Sequence, residues 1–304
     1  MIKLQDAVFN WGEKPSERSM QDRLRYGVFV LDKPCGPSSH EASAFVRKIL
    51  HLNKAGHSGT LDPDVSGVLP VLLENSCKAA PFLLKERKQY VCIMRMNEEK
   101  NRKEVEEAFS HFRGKIYQKP PLESAVAKRL RIREVFSLDI MQVEGKDVLF
   151  SCDVEGGFYV RKLCTDVGEV LGCGAVMDEL RRTKAAGFTE AQARTLQTLS
   201  DAYWFWIEKK DDSHLKKLVM NLEDAIELKR VVVDDTVIRP ITTGANLAAG
   251  GIISLDEGIK REENVQILSG KGELLCFAKA LSSTEEIVSA KSGLAFDISR
   301  VVKA

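Results

Sequence analysis

The first apolar run of the chain covers residues 26–32 and is rich in β-branched and aromatic residues. It stops at residues 33–37, where two prolines and a glycine stand close together, so the pattern predicts a strand that ends in a turn. A helix is predicted directly afterwards, because Ser38 and Glu41 have the spacing of a capping box and an apolar face follows over residues 44–50. Later apolar runs predict two further buried strands, at 67–73 and 90–94.

Helical and strand periodicities then alternate irregularly along the chain. Residues 101–113 have the pattern of an amphipathic helix, with apolar side chains on one face. Two strand-like runs between residues 135 and 154 flank residues 144–147, which have the composition of a hairpin turn. Helical spacing returns over residues 160–171. The order of these elements predicts an α+β fold in which helices flank a mixed sheet.

The pattern changes near Ile226. From Arg230 onward the chain consists of short strand-like runs separated by Gly, Asp and Asn, which predicts a small all-β domain. We therefore divide the chain into a first domain at 1–228, which includes an N-terminal extension, and a second domain at 229–304. The aromatic residues 204–206 are expected to lie in the core between the two domains.

Charge is balanced over the whole chain but not locally. The 304 residues include 45 Lys and Arg against 44 Asp and Glu, so bulk charge alone predicts no nucleic-acid partner. Between residues 111 and 135, however, seven basic residues stand against two acidic ones. This stretch is a candidate for binding RNA phosphates, although a solvated charged surface would give the same pattern. Its candidate RNA contacts are Lys119, Lys128, Arg129, Arg131 and Arg133.

The seven cysteines are scattered, odd in number and without a C-x-x-C pair. This pattern argues against a disulfide framework and against structural zinc, and it favours reduced thiols in a cytoplasmic protein. The five histidines also lack the spacing of metal ligands. No apolar leader begins the chain and no run of about 18 uncharged apolar residues occurs, so we expect neither secretion nor a membrane span.

The segment GHSGTLDPDVSG, residues 56–67, crowds acids and hydroxyls between two apolar stretches. Asp62 and Asp64 have the spacing that begins a calcium-binding loop, but Leu73 stands where the bidentate glutamate is required. A hydrolase nucleophile elbow needs glycine at the position of Thr60, and the chain has no G-x-x-x-x-G-K-[ST] phosphate loop. The residues alone leave two interpretations open: an acid with a chemical role, or an Asx-turn that shapes the loop.

A resemblance to a known family favours the chemical role. The motifs that carry it follow one another along the chain: Leu31-Asp32-Lys33-Pro34-x-Gly36, residues 56–67, Lys88-x-Tyr90, Gly157-Phe158-Tyr159-Val160-Arg161 and Leu180-Arg181-Arg182-Thr183. Together they resemble the TruB-type pseudouridine synthases. The resemblance implies the pseudouridine synthase fold and isomerisation of uridine to pseudouridine in RNA, with no cofactor and no metal.

The same resemblance implies roles for individual residues. Asp62 is the expected catalytic residue, either as a nucleophile at the sugar or as a base that removes a sugar proton. Arg161 would pair with Asp62 and fix its direction, and Tyr90 would stack on the flipped uracil or help to remove the C5 proton. The expected substrate-binding positions are His57, Tyr159, Leu180 and Lys33.

Within the family, the chain resembles the archaeal and eukaryal box H/ACA catalytic subunits of the dyskerin type. This rests on Ser58, on the segments 117–121 and 124–126, and on a C-terminal β domain that resembles a PUA module. The resemblance implies a uridine in tRNA, a uridine in rRNA chosen by an H/ACA guide RNA, or both, as substrate. The protein partners would be small Nop-type and Gar-type accessory proteins and a kink-turn-binding ribosomal-like protein.

The PUA module is expected to read an RNA end and to be separable from catalysis. Its expected RNA contacts are Gly244, Ala245, Gly250 and Gly251, because small residues let backbone amides approach bases and phosphates. The alternative function for the whole chain is a non-catalytic RNA-binding scaffold or chaperone of a ribonucleoprotein. Release of tritium from C5-labelled uridine would distinguish the enzyme from the scaffold.

Overall fold

The structure, a computed structural model, describes residues 1–120, 129–290 and 292–303. Lys128 of the basic stretch and the segment 124–126 lie outside the described residues. In the part of the chain that the structure describes, no helix is both long enough and apolar enough to cross a membrane.

Strands occur throughout the chain and build two separate sheets. In chain order they are β1 (Ile2–Lys3), β2 (Gly27–Lys33), β3 (Ala55–His57), β4 (Ser66–Leu73), β5 (Lys88–Met96), β6 (Gly114–Gln118), β7 (Arg131–Glu144), β8 (Asp147–Val154), β9 (Ala175–Ala185), β10 (Phe188–Thr189), β11 (Val219–Asn221), β12 (Lys229–Val233), β13 (Leu247–Ala248), β14 (Ile252–Leu255), β15 (Asn264–Leu268), β16 (Leu274–Ala280) and β17 (Leu294–Val301).

Several helices begin at a side-chain cap. Ser38 and Glu41 form the predicted capping box, and Asn101 and Glu104 form another one. In chain order the α-helices are α1 (Met20–Arg25), α2 (Ser39–Ile49), α3 (Ala80–Leu84), α4 (Arg102–Ser110), α5 (Val160–Val170), α6 (Leu196–Lys209), α7 (Ser213–Leu218), α8 (Leu222–Ala225), α9 (Asp235–Thr242) and α10 (Thr284–Ala290).

The larger sheet follows the order β11-β2-β4-β9-β5-β8-β7-β6, with β3 added to β4 and β10 added to β9. Strand β9 inserts between β4 and β5, parallel to β4 and antiparallel to β5. The predicted hairpin is confirmed, since β7 and β8 pair up to Glu144 and Asp147 with a tight turn between them. The insertion of β9 carries residues 180–183 to the middle of the sheet, between the strand that follows the polar loop and the strand that carries Tyr90.

The smaller sheet follows the order β1-β14-β12-β15-β16-β17-β13. Its first strand comes from the N-terminus of the chain, where Ile2 pairs with Leu255 on β14. The backbone N–H of Trp11 also donates a hydrogen bond to the carboxylate of Asp235 at 2.9 Å. The N-terminal extension therefore lies on the sheet formed by the last quarter of the chain.

Two predictions for individual segments are wrong. The sequence pattern predicts an all-β domain of short strands from Arg230 onward, but β12 ends at Val233 and α9 begins at Asp235, so the second unit contains helices beside its sheet. Asp234 caps α9 by accepting a hydrogen bond from the Thr236 N–H at 2.9 Å, a local bond that competes with strand pairing. The aromatic residues 204–206 do not lie in an interdomain core, since Trp204 is 49% exposed on α6.

One buried cluster joins the two sheets. Leu268, Leu274, Phe277 and Val302 pack in it together with side chains of β2, β4 and α8. Phe82, on α3 between β4 and β5, stacks on Phe277 with ring centroids 4.2 Å apart. Because the two units share buried apolar surface, we expect removal of residues 229–304 to destabilise the first unit.

Candidate active site

The loop between β3 and β4 exposes Asp62 while it buries the neighbouring apolar residues. Leu61 and Val65 are 4% and 1% exposed and pack in the same core cluster as Tyr90. The side chain of Asp62 is 51% exposed. Burial of an apolar residue on each side of the acid fixes the backbone there. The buried side chains of Leu61 and Val65 therefore hold Asp62 at the surface.

Lys33 supports this loop from the interior. Its side chain is fully buried, and its Nζ donates hydrogen bonds to the carbonyl oxygens of Pro34, Pro63 and Val65 at 2.9, 3.2 and 2.8 Å. An ammonium group has three N–H donors, so the backbone occupies all of them. Burial also lowers the pKa of Lys33. The expectation that Lys33 binds substrate is therefore wrong, and its contacts make it a residue that positions the loop.

Helix α2 is tied to the same loop at its first turn. The hydroxyl of Ser39 donates to the carbonyl oxygen of Leu61 at 2.9 Å and accepts from the Leu61 N–H at 2.7 Å. The N–H of Gly36 donates to the carbonyl oxygen of Pro63 at 2.8 Å. No sequence pattern marks Ser39 as a support of this loop, because a serine at the start of a helix is ordinary.

Arg161 approaches the loop from the first turn of α5. Its Nη2 donates a hydrogen bond to Oδ2 of Asp62 at 2.5 Å. Tyr159 is the N-cap residue of α5, and its backbone N–H and C=O both bond to the side-chain amide of Gln118. Val160, between them, is buried in the core. The structure thus brings Asp62 and Arg161 into contact, as the resemblance implies, and fixes the backbone from which Arg161 extends.

Tyr90 and Leu180 lie on the neighbouring strands β5 and β9. Tyr90 stands opposite Arg182, and Leu180 is two residues earlier on β9, so the three side chains share one face of the sheet. Tyr90 is 7% exposed, and Leu180 is half-buried against the same core cluster. Burial raises the pKa of the Tyr90 phenol, Arg182 opposes this shift and the carboxylate of Asp62 adds to it. The phenol is therefore within the electrostatic reach of Asp62.

Two more buried cations, Lys88 and Arg182, lie beside the loop, and no sequence pattern predicts a role for either. Lys88 donates hydrogen bonds to the carbonyl oxygens of Leu84 and Glu86 at 3.0 and 2.7 Å, and burial lowers its pKa to about 8. Arg182 is fully buried and donates to the carbonyl oxygens of Val68 and Gly59 at 2.8 and 3.2 Å. Both residues stand in the quoted motifs, but nothing in a sequence shows that a cation there is inside the protein.

Two glycines let the loop backbone pass these cations. Gly59 has φ of 93°, and a Cβ there would lie 3.2 Å from Cε of Lys88 and 3.5 Å from Nη1 of Arg182. Gly67 has φ of 106°, and a Cβ there would lie 2.2 Å from the carbonyl oxygen of Arg182. Both the left-handed backbone and the close approach require glycine.

His57 ends β3 and is half-buried. Its Nδ1 is buried and has no hydrogen-bond partner among the described residues. Burial lowers the pKa of His57, with further lowering by Arg182 and His40. The described residues contain no group of three or more His, Cys, Asp or Glu side chains that could hold a metal ion.

Comparison with known proteins places this arrangement in a family. Profiles match the chain at residues 4–43 (DKCLD (NUC011) domain), 47–104 (TruB family pseudouridylate synthase, N-terminal domain), 161–227 (tRNA pseudouridylate synthase B C-terminal domain) and 229–302 (PUA domain). A probable tRNA pseudouridine synthase B of Archaeoglobus fulgidus is 45% identical over 96% of this chain and 90% of its own length. The chain belongs to the TruB family of pseudouridine synthases.

Other members of the TruB family are similar over nearly the whole chain. A probable tRNA pseudouridine synthase B of Methanocaldococcus jannaschii is 45% identical over 99% of this chain and 90% of its own length. A chain in the crystal structure of a Cbf5-Nop10-Gar1 complex is 42% identical, with a TM-score of 0.92 over 99% of this chain and 93% of that one. A chain in the structure of an H/ACA RNP bound to a substrate RNA containing 2'-deoxyuridine is 39% identical, with a TM-score of 0.92 over 100% of this chain and 94% of that one.

In the PUA domain of this TruB family member, the four expected RNA contacts differ in accessibility. Gly244, Ala245 and Gly250 are exposed, and the space around Gly244 and Gly250 is open. Gly251 is buried, and a Cβ there would lie 2.8 Å from the side chain of Val237. The expectation that Gly251 contacts RNA is therefore wrong, because its small size serves packing inside the domain.

The basic residues between 111 and 135 also differ in accessibility. Lys119 and Arg129 are exposed, and Arg131 is half-buried at the start of β7. Arg133 donates to the carbonyl oxygen of Ile132 at 2.9 Å and lies 3.5 Å from the carboxylate of Glu155, with its side chain only 20% exposed. Lys119 and Arg129 are thus the members of the stretch best placed to meet a phosphate, whereas Arg133 is already engaged.

Proposed function

We propose that this pseudouridine synthase isomerises uridine in RNA at the exposed carboxylate of Asp62. The observation that carries the proposal is the 2.5 Å hydrogen bond from Arg161 to Asp62, on a loop fixed from inside by Lys33. A charge-assisted bond of this kind sets the direction of a carboxylate that would otherwise rotate in solvent. Asp62 is therefore aimed before substrate arrives.

The reaction breaks the N1–C1′ bond, turns the uracil and joins C5 to C1′. Asp62 acts on the sugar, either as the nucleophile or as the base that removes a sugar proton. Once C5 is bonded to C1′, the C5 proton must leave, and Tyr90 is the residue proposed to accept it. Tyr90 also offers a ring on which the flipped uracil stacks, with Leu180 as an apolar wall and Tyr159 and His57 at the rim.

The substrate is a uridine chosen by an H/ACA guide RNA, with the T-loop uridine of tRNA as a second substrate. The likeness to a chain of the Cbf5-Nop10-Gar1 complex and the names of the archaeal relatives support this assignment. The protein partners are small Nop-type and Gar-type accessory proteins and a kink-turn-binding ribosomal-like protein. We assign residues 1–228 to catalysis and 229–304 to holding an RNA end, and we place the enzyme in the cytoplasm, consistent with its seven free cysteines.

The test is tritium release from RNA labelled at C5 of uridine. The purified chain is incubated with tRNA alone, and with guide RNA, target RNA and accessory proteins, and pseudouridine is assayed in the product. We expect release with the complete guide complex at a rate well above that of the target RNA without guide. A chain that binds both RNAs but releases no tritium under any condition would instead be a non-catalytic scaffold.

A further inference from the structure

Arg182 has a buried N–H group that makes no hydrogen bond of regular geometry in the protein. The side chain is fully buried, its Nε and Nη2 donate to the carbonyl oxygens of Val68 and Gly59, and its Nη1 is a buried nitrogen without a hydrogen-bond partner of regular geometry among the described residues. Leaving a buried charged donor unpaired is energetically costly. Such a donor needs an explanation from its surroundings.

The phenol of Tyr90 is the candidate acceptor. The two residues are direct partners across β5 and β9, so their side chains stand side by side on one face of the sheet. Nη1 lies beside Gly59, since a Cβ at that position would be 3.5 Å from it. Arg182 and Tyr90 also shift each other's ionisation, through charge and through a hydrogen-bonding contact of their side chains: Arg182 acts to lower the pKa of Tyr90, and Tyr90 acts to raise the pKa of Arg182.

The other groups that face Tyr90 do not favour a phenolate. Cys152 is its partner on β8, and burial raises the pKa of this thiol, which is therefore neutral. The carboxylate of Asp62 repels negative charge on the phenol oxygen. Among the groups of the described structure that act on Tyr90, Arg182 is the cation. It is therefore the group that can offset the rise in the pKa of Tyr90 caused by burial and by Asp62.

We propose that Arg182 is a positioning residue for the last chemical step, in which its Nη1 donates a hydrogen bond to the phenolate oxygen of Tyr90 and stabilises it as it takes the C5 proton. This inference rests on the proposed role of Tyr90. The phenolate oxygen bonds to the C5 proton, the C5–H electron pair becomes the C5=C6 double bond, and the N1=C6 pair moves onto N1, which takes a proton from water. Tyr90 then returns its proton to solvent, and Arg182 stays protonated throughout.

The alternative is that Arg182 only supports the carbonyl oxygens of Val68 and Gly59 and has no effect on the proton transfer, and the following kinetics distinguish the two roles. Single-turnover rates are measured against pH with ordinary and C5-deuterated uridine for wild type, Arg182→Gln, Arg182→Lys and Tyr90→Phe. Because the Gln variant lacks the charge, we expect its rate of C5 proton loss to fall at least tenfold, its pH profile to move upward by about one unit and its deuterium effect to grow. Arg182→Lys should recover part of each change.

Coupling to Tyr90 decides between the two roles. In the Tyr90→Phe background, Arg182→Gln should cause no further shift of the pH profile and no further isotope effect. A rate that falls by the same factor in both backgrounds, with an unchanged pH profile, would overturn the proposal. A wild-type enzyme that forms no pseudouridine at all would instead refute the proposed function, so the two failures are distinguishable.

A second measurement covers the case in which the Arg182 variants do not fold. In protein labelled with ¹⁵N-arginine, the Nη–H signals of Arg182 are compared between wild type and Tyr90→Phe, which keeps the ring and loses only the hydroxyl. We expect these signals to shift when the hydroxyl is removed. Identical Arg182 signals in the two folded proteins would show that Nη1 does not contact the phenol, and would overturn the proposal.

Discussion

Lys33, Lys88 and Arg182 place three positive charges inside the protein around the loop that carries Asp62. Each is at most 4% exposed, and each donates hydrogen bonds to main-chain carbonyl oxygens rather than to carboxylates. A buried cation is tolerated when such dipoles surround it, and removing it leaves those dipoles unpaired. The interior cations therefore make the loop rigid while Asp62 itself stays free to meet the substrate.

Replacement of Lys33 by Met tests its role as a support of the loop. The substitution leaves the carbonyls of Pro34, Pro63 and Val65 without their donor, so we expect the free energy of unfolding to fall by about 1–3 kcal/mol. In urea denaturation and steady-state kinetics, kcat should drop while KM for RNA stays within a few-fold. Lys54→Met is the control, since Lys54 is an exposed lysine next to the same loop's first strand. Loss of RNA affinity with unchanged kcat would restore Lys33 as a substrate contact.

Lys88 gives the stability of the protein a defined pH dependence. Burial lowers its pKa from 10.5 to about 8, so between these values the unfolded chain holds a proton that the folded chain has released. Stability rises with pH wherever the unfolded state binds more protons, and below pH 8 the cost of burying the ammonium is fully present.

We therefore expect wild type to gain stability relative to Lys88→Met as pH rises from about 8 to 10, by at most about 1.4 kcal/mol per unit. Urea titrations of both proteins at several pH values in this window measure the difference. Lys85→Met serves as control, because Lys85 is exposed. A difference between wild type and Lys88→Met that does not change with pH would contradict the buried-cation account.

At the scale of elements, strand β9 organises the site. It carries Leu180 and Arg182 between β4, which follows the Asp62 loop, and β5, which carries Tyr90. Helix α5 adds Arg161 from its first turn. Because these elements come from distant parts of the chain, the geometry of the site depends on the packing of the sheet and not on any single motif.

The basic stretch around β6 and β7 should dominate the salt dependence of RNA binding. For the double variant Lys119→Gln with Arg129→Gln, we expect the slope of log affinity against log salt to flatten by up to about two, since each lost phosphate contact removes about 0.7–0.9. Arg133→Gln should change the slope less, because Arg133 already lies beside Glu155. Arg102→Gln is the control, since Arg102 pairs with Glu106 on α4. An unchanged slope in the double variant would show that Lys119 and Arg129 do not meet the backbone.

Sequence patterns predicted the elements that carry a strong local signal. The strand before Lys33, the capped helix α2 and the hairpin of β7 and β8 each depend on periodicity and turn residues within a short stretch. Strand β9 was not predictable in this way, because charged residues interrupt it and its place between β4 and β5 is set by long-range pairing. The approach of Arg161 to Asp62, 99 residues apart, followed from resemblance rather than from any pattern.

The burial of Lys33 and Arg182 could not be predicted at all. A lysine after a strand and an arginine in a charged run look like surface residues, since Lys and Arg are almost never fully buried unless paired. Their partners are backbone carbonyls, which leave no trace in the sequence. Gly251 is the reverse case, since a glycine in a turn-rich stretch suggests an accessible backbone, whereas Val237 covers it.

At the scale of the whole molecule, a buried ionic cluster joins the N-terminal extension to both sheets. Arg18 donates two hydrogen bonds to Glu223 at 3.0 and 2.6 Å and lies 3.6 Å from Glu273, and all three side chains are at most 6% exposed. Glu223 also accepts from the Leu274 N–H at 2.8 Å, and Lys303 pairs with Glu273. The extension, the end of the first unit and the second sheet therefore meet at one charged cluster.

Substitution of Arg18 should destabilise the whole chain. Arg18→Met leaves Glu223 buried without its cation, so we expect a loss of about 3–5 kcal/mol in the free energy of unfolding and a lower transition midpoint for both units together. Arg25→Met, which removes an exposed pair with Asp22, should cost no more than about 1 kcal/mol. Urea unfolding followed by tryptophan fluorescence measures both. If the two substitutions cost the same, the cluster does not hold the molecule together.

The central claim is that the carboxylate of Asp62, aimed by Arg161, performs the chemistry. The loop offers a matched control in Asp64, which is also an exposed carboxylate two residues away. Tritium release from C5-labelled RNA under single-turnover conditions is compared for wild type, Asp62→Asn and Asp64→Asn, with RNA affinity measured in parallel. The account predicts no detectable release for Asp62→Asn, near-wild-type release for Asp64→Asn and RNA affinity within a few-fold for both. Release by Asp62→Asn within tenfold of wild type would contradict it.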